Sequence, residues 1–364
     1  MIAHLPILQV IIPLMAAPIC LMLKRTQLVW LFSIIASGLA FAVSILLLQQ
    51  VMTSGVISYE LGGWQAPWGI EYRIDKLNAF LLLIISGIST VVLFAAQTSL
   101  EKEIPKDKHI YFYVLYLLSL TGMLGIVATG DAFNVFVFLE ISSLSAYALI
   151  GMGNKRQALW ASYQYLIMGT IGATFILIGI GLMYQMTGTL NMHDLSQRLP
   201  EVEQSRTVLA AFAFVIVGVC LKLAMFPLHL WLPNAYAYAP SIVTAFFAAT
   251  ATKVAVYLLI RFTFSVFGFS FSFTHIPLQT IFMALGLVGI FVASTSAIYQ
   301  NNVKQLFAYS SIAQIGYMIV GFSLSTVTGL TATLLHMFNH ALMKGVIFLA
   351  LAAVIYRVGN VELN

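Results

Sequence analysis

The chain reads as long apolar runs broken by short polar stretches. A bilayer-crossing helix needs about 20 apolar residues. Eleven runs meet that length, at roughly 5–23, 28–51, 76–98, 110–129, 132–152, 158–185, 207–226, 236–266, 278–299, 303–323 and 327–355. The runs at 236–266 and 327–355 are long enough to be tilted, kinked or broken. Polar connectors separate them: EKEIPKDKH (101–109), GNKRQ (153–157) and NMHDLSQRLPEVEQSR (191–206). TGD at 129–131 predicts a tight turn, with Asp131 placed to cap the next helix. No low-complexity tract or long linker divides the chain. The pattern predicts one polytopic, all-α membrane domain over residues 1–364.

Composition strengthens this. Residues are 61% hydrophobic and 8% charged, against about 25% charged in soluble domains. The net charge of +5 therefore reports membrane orientation, not nucleic-acid affinity. With the N-terminus outside, the inner loops carry Lys24, Arg25, Lys102, Lys106, Lys108, Lys155, Arg156, Lys304 and Arg357. The outer loops carry Arg73, Lys76, Arg198 and Arg206. That bias predicts a C-terminus in the cytoplasm and residence in the cytoplasmic (inner) membrane. The first cations follow the first apolar run, an order that suits a spanning helix rather than a cleaved signal peptide.

Two cysteines, Cys20 and Cys220, lie far apart in apolar runs. There is no CxxC, no GxxxxGK[ST] and no GxGxxG. The expectation is a chain with no cofactor and no metal of its own.

The informative residues are titratable groups inside the spans. If the fifth span starts near Asp131, Glu140 lies nine residues in, about 13.5 Å deep. A central charge costs roughly 2.5–3.5 kcal/mol, so a partner or water must face it. Lys222 lies deep in the seventh span, with Pro227 five residues on. This predicts a discontinuous helix beside the ammonium; the alternative is a plain proline kink. Lys253 sits among Ala248, Ala249, Ala251 and Thr252, small residues that leave room for water. Snorkelling to an interface is the other reading.

His336, His340 and Lys344 recur at i, i+4 and i+8 and share one helical face. Histidine titrates near neutral pH and passes protons through two nitrogens. Metal binding by the two histidines is the rival, weakened by the lack of a nearby carboxylate or cysteine. Asp131 and Arg261 fall near helix ends, where capping or snorkelling is expected. His229 and His275 read as near-interface residues, and Trp231, Tyr236 and Tyr238 as an aromatic belt.

The pieces GIEYRIDKLNAFLLLI (69–84), TGDAFNVFVFLEISSLSAYALIG (129–151), KLAMFPLHLWLPNAYAYAPS (222–241), TKVAVYLL (252–259), NNVKQLFAYSSIAQIGYM (301–318) and HMFNHALMKGVIFL (336–349) resemble one family. It is the proton-conducting antiporter-like subunits: Mrp-type cation/proton antiporter subunits, large membrane-arm subunits of respiratory complex I, and relatives in membrane-bound hydrogenases. The wording around Glu140 looks most like the Mrp D subunit.

The resemblance implies an antiporter-like fold of inverted five-helix repeats. Residues 1–100 would be N-terminal helices, 110–266 the first repeat and 278–355 a partial second one. It implies that Glu140, Lys222, Lys253, His336, His340 and Lys344 transfer protons, with Glu140 paired to Lys222. It also implies partners: other membrane subunits of a hetero-oligomer, with protons and monovalent cations as cargo. Family members usually have about fourteen helices. The chain ends at Asn364 without the second broken helix, so a fragment or a split subunit is expected.

Three functions compete at this point. One is a Mrp-type sodium/proton antiporter subunit, or its complex I-like or hydrogenase counterpart. Another is a scaffold whose buried charges only lock helices together. A third is a quinone-processing oxidoreductase subunit, for which no redox ligand speaks.

Overall fold

The computed structural model describes residues 2–359 and Glu362. Eleven helices are long and apolar enough to cross a membrane, and each coincides with a run identified in the sequence. In chain order they are α1 (Leu5–Met22), α2 (Thr26–Ser54), α3 (Lys76–Glu103), α4 (His109–Ala128), α5 (Ala132–Gly151) and α6 (Arg156–Thr187). A short α7 (Met192–Val202) precedes α8 (Arg206–Leu223), α9 (Trp231–Tyr238) and α10 (Ser241–Ile260). The last are α11 (Leu278–Ile298), α12 (Val303–Ser323) and α13 (Val327–Val358). The chain is a multi-pass integral membrane protein.

The structure adds four details to the sequence reading. The connector at 191–206 is not loop throughout. Asn191 caps α7 by accepting from the amides of His193 and Asp194; Leu195 and Leu199 are buried along one face. Such a helix is short and half-polar, so no twenty-residue apolar run announces it. The domain is also not purely helical. β1 (Ile57–Glu60) and β2 (Glu71–Ile74) form an antiparallel hairpin with Ile57 opposite Ile74. Buried Glu71 ties the hairpin down, accepting from Ser58 Oγ at 2.6 Å and Asn191 Nδ2 at 2.8 Å. The run at 236–266 is interrupted: its first residues end α9, Ala239 is extended, and helix resumes at Ser241. The long final span, α13, is unbroken.

Small residues set the helix spacing. A Cβ on Gly125 of α4 would run into the Phe138 ring, so α5 packs hard on α4. A Cβ on Gly218 of α8 would lie 2.6 Å from the Gly172 carbonyl oxygen, so α6 and α8 meet backbone to backbone.

The two ends of the bundle differ. At one, Glu103 meets Ser241, the Lys304 ammonium meets Ala239, and Lys102 donates to the Tyr356 carbonyl. At the other, Asp131 caps α5 through the Asn134 amide at 2.7 Å. There Arg261 also binds Asp75 Oδ2 at 2.8 Å and Asn78 Oδ1 at 2.8 Å. Arg261 is thus an interhelical tie, not a snorkelling cation.

Asp75 completes a capping box with Asn78. Burial pushes its carboxyl up, but Arg261 and the Leu77 and Asn78 amides outweigh that and hold it below its usual range. Asp75→Ala should cost about 2 kcal/mol through loss of the cap and of the Arg261 partner. The native carboxyl has the lower pKa, so its contribution is complete above about pH 4 and fades as pH falls through the native value. Thermal unfolding in detergent from pH 6 to pH 3 should show less acid destabilisation in Asp75→Asn than in wild type.

Candidate functional site

The seventh span is broken, as the lysine–proline pattern predicts. α8 stops at Leu223 because Ala224 turns left-handed at φ 59°, a conformation that a non-glycine residue adopts at a cost. The chain re-enters helix only at Trp231. The Trp231 indole donates to the Leu221 carbonyl at 3.1 Å, satisfying an acceptor that the break frees. Trp231 stacks on Tyr165 at 4.2 Å and is 5% exposed. Trp231 and Tyr236 are therefore interior residues, not an aromatic belt. His229 also lies inside, in the break and buried, with its ring stacked on Phe226. The side chain of His275 lies outside the described residues.

Lys222 does not contact Glu140. Its ammonium donates to Ser143 Oγ at 2.8 Å. Among the described residues the ion pairs within 4 Å are Arg73–Glu71, Arg198–Asp194 and Arg261–Asp75. Glu140 is close enough to act on Lys222 electrostatically without touching it. The expected direct pair is replaced by a serine one helical turn beyond the acid.

A small cavity of about 50 Å³ opens beside Lys222. Ser142, Ser143, Tyr165, Trp231 and Thr252 lie on its wall. Each water needs roughly 10–15 Å³ of such space, so several fit. Thr252 is the far side of this cavity, and its Oγ1 accepts from the Lys253 ammonium at 3.3 Å. Lys253 also donates to the Ala248 carbonyl at 2.5 Å and is 0% exposed. Snorkelling is excluded by that burial.

α10, which carries Lys253, packs on α13, which carries the triad. The His336 and His340 rings are parallel within 8° at 6.3 Å. His340 is buried, and no protein group bonds either of its ring nitrogens. Buried polar atoms are almost always hydrogen-bonded, so water is the partner left to them. Lys344 donates to the Phe307 carbonyl at 2.9 Å and Ser310 Oγ at 3.1 Å. Lys253, His340 and Lys344 act on one another electrostatically. Among the described residues no group of three histidine, cysteine or acidic side chains could hold a metal.

The structure thus brings together two sets, Glu140 with Lys222 and Lys253 with the α13 triad, joined by the cavity. Sequence reading missed Ser143, Tyr165 and the burial of Lys304, and took Thr252 only as a small residue leaving room for water. Hydroxyls and tyrosines are ordinary in apolar helices, and only contact reveals their use. Lys304 is 3% exposed yet reads in the sequence as a loop cation at a helix start.

Residues 129–364 match the family described as NADH:quinone oxidoreductase/Mrp antiporter, TM. The chain is 40% identical to NADH-quinone oxidoreductase subunit N of Desulforudis audaxviator, over 99% of this chain and 72% of that protein. It is 32% identical to the Na+/H+ antiporter D subunit of Bacillus subtilis, over 98% of this chain and 71% of that one. The solved membrane-bound sulfane sulfur reductase, an archaeal respiratory membrane complex, contains a chain of the same fold. It superposes with a TM-score of 0.88 at 33% identity, over 99% of this chain and 72% of that one.

Proposed function

The chain belongs to the NADH:quinone oxidoreductase/Mrp antiporter family of transmembrane proteins, and from that membership we propose that it is the proton-translocating subunit of a multisubunit monovalent cation/proton antiporter of Mrp type. The observation that carries the reading is the hydratable cavity between Lys222 and Thr252, which links the partly buried Lys222 to the fully buried Lys253. Glu140 modulates Lys222 from a distance, and Ser143 holds its ammonium. Protons cross the cavity to Lys253 and pass along His340, His336 and Lys344 through water. In this reading α4 to α10 form one repeat and α11 to α13 open a second. The loop cations place the N-terminus outside and the C-terminus in the cytoplasm. The partners are other membrane subunits of the assembly.

The test is cation-driven proton movement in inverted vesicles carrying the whole complex. Glu140→Gln should abolish sodium- or potassium-dependent pH change with assembly unaltered. Wild-type transport in that variant would remove the reading. A second reading draws on the 40% identity to an oxidoreductase subunit: the same path would be driven by an attached redox module. Proton movement that follows electron donor rather than added cation selects it.

A further inference from the structure

The end of the bundle near the C-terminal segment holds a second, larger cavity, about 270 Å³, between α3, α9, α12 and α13. Glu103, Asn154, Lys155, Ala239, Asn302 and Lys304 line it. Its floor is Lys304, buried at 3% exposure, whose ammonium donates to the Ala239 carbonyl at 2.9 Å. Ala239 ends α9, the second half of the broken span. Phe307 and Ser310 stand three and six residues beyond Lys304 on α12, about 4.5 and 9 Å along the axis. They are the two groups that Lys344 binds. One edge of α12 therefore runs from the open vestibule to the last member of the α13 triad.

We infer that this vestibule is the port through which protons leave Lys344 at the C-terminal end of the bundle, with Lys304 as the group that carries them across its floor. The inference rests on the proton path proposed above. Lys344 as an ammonium passes one proton through water to the neutral amine of Lys304, which then releases it to vestibule water. One proton moves and no other reactant is consumed.

The charges around Lys304 suit the role. Glu103 from α3 supplies the negative charge, with its carboxylate fixed by the Ser241 amide at 2.8 Å, Ser241 Oγ at 2.9 Å and Ser99 Oγ at 3.0 Å. Lys155, ahead of α6, and Lys102 on α3 supply positive charge at the rim, and Lys344 faces α12 from α13. The bland alternative is a strut, in which Lys304 only ties α9 to α12. A neutral amide could make that bond without burying a charge.

Arginine separates the two. It donates to the same carbonyl and keeps the charge, but does not deprotonate. In vesicles carrying the whole complex, Lys304→Gln and Lys304→Arg should both slow proton movement at least tenfold with the subunits still co-purifying. Wild-type rates in Lys304→Arg would make Lys304 a strut and overturn its carrier role. The port is tested separately with Asn154→Cys and a membrane-impermeant cationic thiol reagent at that face. The native Cys20 and Cys220 are buried, so wild type should be insensitive. Modification should slow transport severalfold; full modification by mass with an unchanged rate overturns the port. Glu140→Gln is run beside these variants. If it transports normally, the path and the port both fall. If it is inactive while the Lys304 and Asn154 variants are fast, only the port falls.

Discussion

Replacing Lys253 with methionine should stop proton movement and leave the protein at least as stable as wild type. Lys253 is wholly buried, and its ammonium rests on a backbone carbonyl and a threonine hydroxyl. No carboxylate lies within 4 Å of it among the described residues. Burying an ion costs several kcal/mol. The two hydrogen bonds return about 1 kcal/mol each, or somewhat more for a charged donor. Methionine has nearly the same length and no charge to desolvate. A scaffold role predicts the reverse: loss of the lysine loosens α10, and stability falls. Proton movement in vesicles and thermal unfolding of the same preparation decide between them. Loss of transport with unchanged or raised stability supports the path. Retained transport with lowered stability means the charge is structural.

Thr252→Val should reduce proton movement about tenfold, or ~1.4 kcal/mol in barrier, with every lysine and histidine in place. The substitution keeps the shape of the side chain and removes the hydroxyl that joins the cavity to Lys253. A cavity of about 50 Å³ lined by fewer polar groups holds its waters less well, so the loss compounds. Thr250→Val is the control. Its hydroxyl is bonded to the Phe246 carbonyl at 2.6 Å and does not line the cavity, so transport should stay at the wild-type rate. Equal rates in Thr252→Val and wild type would mean that protons reach Lys253 without crossing this cavity.

Much of the site was legible because buried charge is expensive. Glu140, Lys222, Lys253, His336, His340 and Lys344 stand out in apolar runs for that reason alone, and each lies within a spanning helix or at the edge of the break. Lys304 shows the limit. It occupies the first turn of α12, where a lysine normally reaches water, and only the arrival of Ala239 from α9 buries it. Arg261 was misread for a related reason. Its counter-charge, Asp75, is 186 residues away in sequence.

The sequence by itself determined the eleven spans and the break in the seventh. Both follow from local physics: bilayer thickness sets the length of an apolar run, and a proline beside a buried lysine disfavours continuous helix. The tertiary structure decided what the charges touch. Lys222 meets Ser143, 79 residues away in sequence, rather than Glu140. The hairpin and α7 also emerged only there. Each is short and half-polar, and is held by Glu71 and Asn191, whose contacts come from distant parts of the chain. The cavity between the lysines belongs to the packing of six helices, α4, α5, α6, α8, α9 and α10, and no single run of residues encodes it.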